Sequence, residues 1–239
     1  MKNSLLALAL FCITICSAQN LTKIKGNEKI ITVTKTTASY NKILIAGSFD
    51  VKLISGAAGT IVIKGDENLI DYIITDVKNN KLSLSIKKGT NLQYNYNSSI
   101  EVTVPFDKID ELTFVGSGNV SNTDSINSEN FDFVMSGSGN VKFETTTNNL
   151  KISKSGSGNL HVKGKAINST VNNTGSGNAN LNDLEAENVT ATQSGSGSIK
   201  VFCTKSLTAT TAGSGNIKYK GSPSKISKNS AGSGSVTSY

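Results

Sequence analysis

Seven copies of Gly-Ser-Gly recur through the second half of the chain at nearly constant spacing, and they restrict the possible folds more than any other feature. The copies begin at Gly116, Gly137, Gly156, Gly175, Gly195, Gly213 and Gly232, at intervals of 21, 19, 19, 20, 18 and 19 residues. Their second glycines are Gly118, Gly139, Gly158, Gly177, Gly197, Gly215 and Gly234. Asn follows in five of them, as Asn119, Asn140, Asn159, Asn178 and Asn216; Ser198 and Ser235 follow in the others. Self-similarity at a period of about 20 residues is the mark of a solenoid.

Alignment on the glycines defines one unit. The residue after the Asn or Ser is apolar: Val120, Val141, Leu160, Ala179, Ile199, Ile217, Val236. Two positions on, it is usually apolar again: Phe143, Val162, Leu181, Val201, Tyr219, with Asn122 and Ser238 as exceptions. Polar residues such as Lys142, His161 and Lys200 lie between. This period-2 alternation predicts a half-buried strand. A second strand precedes each corner, carrying pairs such as Phe131 and Phe133, Leu150 and Ile152, Val189 and Ala191. The unit therefore reads as strand, polar turn, strand, glycine corner. Two short strands cannot bury a core alone, whereas stacked units can. The expected fold is all-β: a right-handed parallel β-helix-like solenoid over 116–239, preceded by a strand-rich part continuous with it. Glycine suits a tight corner through positive φ or close backbone approach. Stacked Asn and Ser should form side-chain ladders along that corner. A disordered Gly/Ser linker would not keep apolar residues in register with its glycines. A calcium-binding β-roll would need a different period and carboxylates beside the glycines.

Residues 1–18 read as a signal peptide. Lys2 supplies the charge, Leu5–Ile15 the apolar run, and Cys16-Ser17-Ala18 the small residues of a cleavage site, so the mature chain should start near Gln19. Lipidation of Cys16 or Cys12 fits less well, because Ile15 and Phe11 stand where a small residue is wanted. After a segment at 19–40, one β domain is expected over 41–239. From Leu21 to Val115 strands are expected near Ile30–Thr34, Lys42–Ala46, Phe49–Ile54, Thr60–Lys64, Lys81–Ile86, Ile100–Val104 and Glu111–Val115. A helical turn is expected at Asp66–Ile70, a hairpin turn at Asn79-Asn80, and a loop from Lys87 to Ser99.

The order Gly47-Ser48-Phe49-Asp50-Val51, Gly65-Asp66-Glu67-Asn68-Leu69, Lys81-Leu82-Ser83-Leu84, then Val104-Pro105 leading to Gly116-Ser117-Gly118-Asn119-Val120, resembles the head GIN domain family, named for auto-transporter adhesin heads and common in secreted proteins of Bacteroidetes. The resemblance runs from about Asn41 to Tyr239. It implies an all-β fold with β-helical character and an exported location, and it carries over no catalytic residue.

Candidate chemistry is sparse. The one histidine, His161, lies between Leu160 and Val162 and should face outward. The one mature cysteine, Cys203, excludes an internal disulfide and reads as a small strand-end residue. The repeat-region acids Asp124, Glu129, Asp132, Glu144, Asp183, Glu185 and Glu187 do not recur at one repeat position, as a pair of glycosidase carboxyls on one face would require. Asp183, Glu185 and Glu187 read as a solvated middle turn, and the Asn-x-Ser/Thr triplets at Asn168 and Asn188 as chance. No catalytic, metal or cofactor site is expected.

Net charge is +7, all of the positive charge is lysine, and no acid follows Gly195. Lys200, Lys218 and Lys220 are candidate contacts for a polyanion. The absence of arginine argues against nucleic acid as the partner. The reading is an exported, non-catalytic binding or adhesion module of the periplasm, cell surface or extracellular space. Its expected partners are polysaccharide or another envelope protein, with no transmembrane segment. A carbohydrate-active enzyme on a β-helix and a purely structural envelope protein are the alternatives. A last coil without a polar cap further suggests end-to-end contact with a second copy.

Overall fold

Between successive corners the backbone stays in strand conformation almost without a break. The computed structural model describes residues 21–95 and 99–239; the predicted signal peptide lies outside them. Four long strands, β13 (Asn140–Ser155), β14 (Asn159–Thr174), β15 (Ala179–Ser194) and β16 (Ser198–Ala212), each trace a whole coil. Each pairs in parallel with the next. The expected polar turn inside each unit is corrected: it remains paired between coils, as Thr145 with Gly164 and Gly164 with Leu184. The in–out alternation slips within the middle segment, where outward residues follow each other, as at Asn148-Asn149. Each coil thus has two sides joined by the glycine corner and by a short middle segment. Face A is the side after the corner and face B the side before it.

The glycines of the corner have separate causes. The first glycine of each copy has φ between +91° and +150°, a region closed to most side chains. The second is required by crowding. From Gly139 to Gly234, a Cβ there would sit 1.9–2.2 Å from the carbonyl oxygen of the second glycine one coil earlier. Its N–H donates to the first glycine's carbonyl in that coil, at 3.0 Å from Gly158 to Gly137 and 2.9 Å from Gly197 to Gly175. Coils are therefore hydrogen-bonded through the corner itself.

The stack begins earlier than the repeats. β3 (Lys42–Gly47) and β4 (Asp50–Ser55) form a coil whose Gly47 lies against Gly116, in register with β10 (Glu111–Gly116). β11 (Asn119–Asn122) pairs with β4, and β12 (Ile126–Gly137) with β10. On the far side of β3 and β4 lie β7 (Lys81–Ile86) and β9 (Glu101–Phe106). Spatial order thus departs from chain order: the later pair β7/β9 stacks outside β3/β4, and the chain then returns to lay β10/β11 inside. Antiparallel strands close this end: β2 (Ile30–Thr36) on β5 (Thr60–Asp66), β5 on β9, and β6 (Ile73–Lys78) on β7. The β6–β7 turn is Asn79-Asn80, both at positive φ.

The expected helical turn is α1 (Glu67–Ile70). Asp66 accepts the Glu28 N–H at 2.5 Å, and Asn68 donates to the Lys25 carbonyl at 2.8 Å, so this segment pins the incoming chain. The loop expected at 87–99 is corrected in part. β8 (Thr90–Gln93) pairs in parallel with β1 (Thr22–Lys25), a two-stranded sheet with only Leu92 buried. Beyond β16 the coils thin to β17 (Asn216–Lys220), β18 (Lys225–Ala231) and β19 (Val236–Ser238).

The core tapers along the axis. Phe49, Phe114, Phe131, Phe133 and Phe143 fill the early coils, whereas Ala179, Ala191 and Ala209 occupy the later ones. The row Val120, Val141, Leu160, Ala179, Ile199, Ile217 stacks inward as expected. Length differences between units fall at 121–126, 161–163, 181–188 and 220–225, away from both the corner and face B.

Candidate functional site

Face A carries the predicted cations. One outward row runs Lys52, Ser121, Lys142, His161, Asn180, Lys200, Lys218. Lys200 and Lys218 stand directly opposite each other on neighbouring coils, both exposed. Lys220, two residues on, lies over the Phe202 ring at 4.8 Å. Acids occupy only the earlier coils of this face, and they are engaged: Glu144 with Lys163 at 2.6 Å, Asp183 with His161 at 3.3 Å. His161 faces outward, half-buried, and its Nδ1 meets Asn180 at 3.2 Å. Asp183 was expected in a turn; it sits on β15 and supplies the histidine's partner. Beside this row lies an open groove of about 460 Å³ with Val120, Val141 and Leu160 along its floor.

The corner asparagines form the expected ladder. Asn119 donates to Asp50, Asn140 to Asn119, Asn159 to Asn140 and Asn178 to Asn159, at 2.9–3.4 Å. Ser198 continues it onto Asn178, and Ser235 bonds Asn216. A second ladder, unforeseen, follows the middle segment: Asn149 to Asn130, Asn168 to Asn149, Asn188 to Asn168, Ser206 to Asn188. Asn168 and Asn188, read as chance triplets, are its rungs. The signal was there in a third Asn at the equivalent position, Asn149.

Next to that ladder an open groove of about 510 Å³ holds Glu129, Glu185 and Glu187. Glu187 is bound by Lys205 at 2.6 Å, and Glu185 stands opposite Lys165 on the preceding coil. A glycosidase acid needs a carboxyl shielded by apolar surroundings, and these stand among ammonium groups. Among the described residues no group of three or more His, Cys, Asp and Glu could hold a metal ion. Cys203 is corrected from strand end to the interior of β16. It is fully buried with its thiol on the Ser206 carbonyl, and burial pushes that thiol up, which makes it a poor nucleophile.

The interior contains a polar row that was not anticipated. Ile45, Phe114, Met135, Lys154, Asn173, Gln193 and Thr211 stack at the position two before each corner. Lys154 is 2% exposed and donates to Asn173 Oδ1 at 3.2 Å. Asn173 donates to Gln193 Oε1 at 2.6 Å and to the Gly177 carbonyl at 2.8 Å. Gln193 Nε2 and Thr211 Oγ1 have no partner among the described residues. Desolvation holds the Lys154 ammonium below the ordinary lysine range.

At the last coil Lys228 takes an inward position. It lies over the Tyr219 ring at 4.9 Å and donates to the Val236 carbonyl at 3.3 Å. β18 is exposed throughout, and Tyr239 reaches Asn182 through its hydroxyl. No helix among the described residues is long and apolar enough to cross a membrane.

The model of a family described as "Putative auto-transporter adhesin, head GIN domain" matches residues 39–223. Among curated proteins none matches at a significant level. Several crystal structures are similar. One, described as a putative adhesin from Bacteroides fragilis, has a TM-score of 0.84 at 27% identity and covers 90% of this chain and 100% of its own. Another, described as a putative lipid binding protein from Parabacteroides distasonis, has a TM-score of 0.75 at 28% identity and covers 91% and 100%. A putative adhesin from Parabacteroides merdae shares the fold with a TM-score of 0.73 at 24% identity, covering 91% and 99%.

Proposed function

The chain belongs to the head GIN domain family, and from that premise we propose that it is an exported, non-catalytic adhesion module whose face A holds anionic polysaccharide through Lys200, Lys218 and Lys220. The observation that carries this reading is the direct opposition of Lys200 and Lys218 on neighbouring strands. Like charges so placed destabilise a sheet, and a bridging anion removes the penalty. Lysines bind anionic groups as point charges, and the acid-free stretch from Ser198 onward extends the attraction beyond contact distance. Export follows from the leader at residues 1–18. The partner lies along the face in this reading, because end-to-end pairing of two copies would bring Lys225 and Lys228 of each against the other.

Lipid headgroups offer related anionic chemistry, and one similar structure is described as lipid-binding. The test compares immobilised polygalacturonate with anionic phospholipid vesicles. The mature protein should be retained on polygalacturonate at about 50 mM salt and released by about 500 mM, where exposed charges are screened. The variant Lys200→Gln/Lys218→Gln/Lys220→Gln should lose at least about tenfold in affinity with its melting temperature unchanged or slightly raised, since the like-charge opposition is gone. Equal retention of the triple variant, or retention indifferent to salt, would remove the lysines from the site. Retention on vesicles alone would move the reading to lipid.

A further inference from the structure

Face B is built to a different rule from face A. Its strand pairing runs in register, without a bulge, from Glu111 through Ala231. Every length difference between coils is absorbed elsewhere. On the coils of β14, β15 and β16, two outward rows read Thr170, Thr190, Thr208 and Asn172, Thr192, Thr210. A third row adds Thr174 and Ser194, and Ser227 and Asn229 extend the first two onto β18. On β14, β15 and β16 no charged residue stands in these rows; Glu111, Asp132 and Lys151 precede them, and Lys225 and Lys228 stand exposed beside Ser227 and Asn229 on β18.

The threonine hydroxyls of the field are also free. In the middle segment, by contrast, Thr145 donates to the Ile126 carbonyl and Thr147 to the Glu129 carbonyl. Among the described residues Thr170, Thr190, Thr192, Thr208 and Thr210 make no such bond. β-Branched side chains are stiff at χ1, so these hydroxyls form a lattice fixed in position before any ligand arrives. Its spacings are about 4.8 Å between coils and about 6.7 Å along each strand. The second row has an apolar start. Val134 is 39% exposed and precedes Ser153 and Asn172 in the same row. It borders a shallow depression of about 250 Å³ that also touches Ser155 and Thr174.

We propose that face B is a second binding site, for an extended, uncharged β-linked glycan lying along the solenoid axis. A sugar unit of such a glycan advances by close to one coil. Neighbouring units of a β-1,4 chain are turned over, so units two apart meet threonines two coils apart in the same geometry, and the Val134 step receives the C–H face of a terminal ring. The neutral field complements a neutral polymer, since no ion is stripped of water on either side. Preordered hydroxyls keep the entropic cost of binding low. The inference rests on the reading of the chain as a binding module and is independent of the lysines on face A.

The test uses the mature protein with β-1,4-linked glucose and N-acetylglucosamine oligomers of increasing length, followed by titration calorimetry, and with microcrystalline cellulose and chitin in pull-downs. Affinity should rise with length up to about the four coils of the field and then level off. It should not change with salt. Thr190→Val/Thr192→Val keeps shape and β-branching; it should bind about tenfold more weakly with an unchanged melting temperature. The triple lysine variant should bind these neutral glycans as the wild type does. Absence of binding to every neutral β-glycan while polygalacturonate is still retained would overturn the face B site and leave face A standing. Equal binding by the double valine variant, or loss of neutral-glycan binding in the triple lysine variant, would also overturn it.

Discussion

Lys154→Met is expected to stabilise the protein, although it deletes a hydrogen bond and a charge. Lys154 is 2% exposed, follows Met135 in its row, and has one hydrogen-bond partner, the neutral Asn173. Replacing buried charged groups with apolar side chains of similar volume gains up to about 4 kcal/mol. Leaving Asn173 Oδ1 without its donor gives back about 1 kcal/mol. The net gain should be about 1–3 kcal/mol, a rise in melting temperature of about 2–10 °C. The effect also has a pH signature. Burial lowers the Lys154 pKa from 10.5, so between the folded value and 10.5 the unfolded chain binds more protons. Wild-type stability should therefore rise with pH through that window, and the penalty should be complete below it. Lys154→Met should lose that slope. Urea melts of both proteins across alkaline pH check this; a less stable variant with the slope retained would show that Lys154 is not a buried burden.

Leu160→Asp should have the opposite effect and a larger one. Leu160 sits between Val141 and Ala179 in an inward row, 2% exposed, where a carboxylate would have no counter-ion. An uncompensated buried charge costs about 3–5 kcal/mol, much of the stability of an ordinary domain. Lys142→Asp, one position outward on the neighbouring coil, should shift stability by no more than about 0.5 kcal/mol. Thermal melts of the two variants side by side make the comparison, and equal melting temperatures would refute the row.

The glycine corner, the inward rows after it and the corner ladder could all be read from the sequence, because each repeats one chemistry at one spacing. Val141, Leu160, Ile199 and Ile217 carry that signal without interruption. The row two before each corner failed for the converse reason. It begins with Phe114 and Met135 and continues with Lys154, Asn173 and Gln193, which a hydrophobic pattern assigns to solvent. Their inward position is dictated by the strand's alternation from Leu150 and Ile152, and the glycine one coil on makes the room: a Cβ at Gly177 would lie 2.5 Å from Lys154 Nζ. Pairings between distant segments left no local trace. β8 is a polar stretch held by β1, some seventy residues earlier, and reads as a loop by itself. The insertion of β3 and β4 between β7/β9 and β10/β11 is equally invisible, since each strand looks the same in any stacking order. On face A the lysines were legible from charge alone, while the pairing of Asp183 with His161 depends on a bulge after His161. On face B the threonines looked like ordinary outward residues, and their meaning comes from the unbroken register that only the stacked coils reveal.

The proposed function requires that the solenoid hold polysaccharide and leave it intact. Its most direct measurement is size-exclusion chromatography of polygalacturonate and of soluble β-1,4-glucan after prolonged incubation with the mature protein. Protein and glycan should co-elute at low salt, with the glycan recovered at its original chain length. Shortened chains, or glycans that never co-elute with the protein, would contradict it.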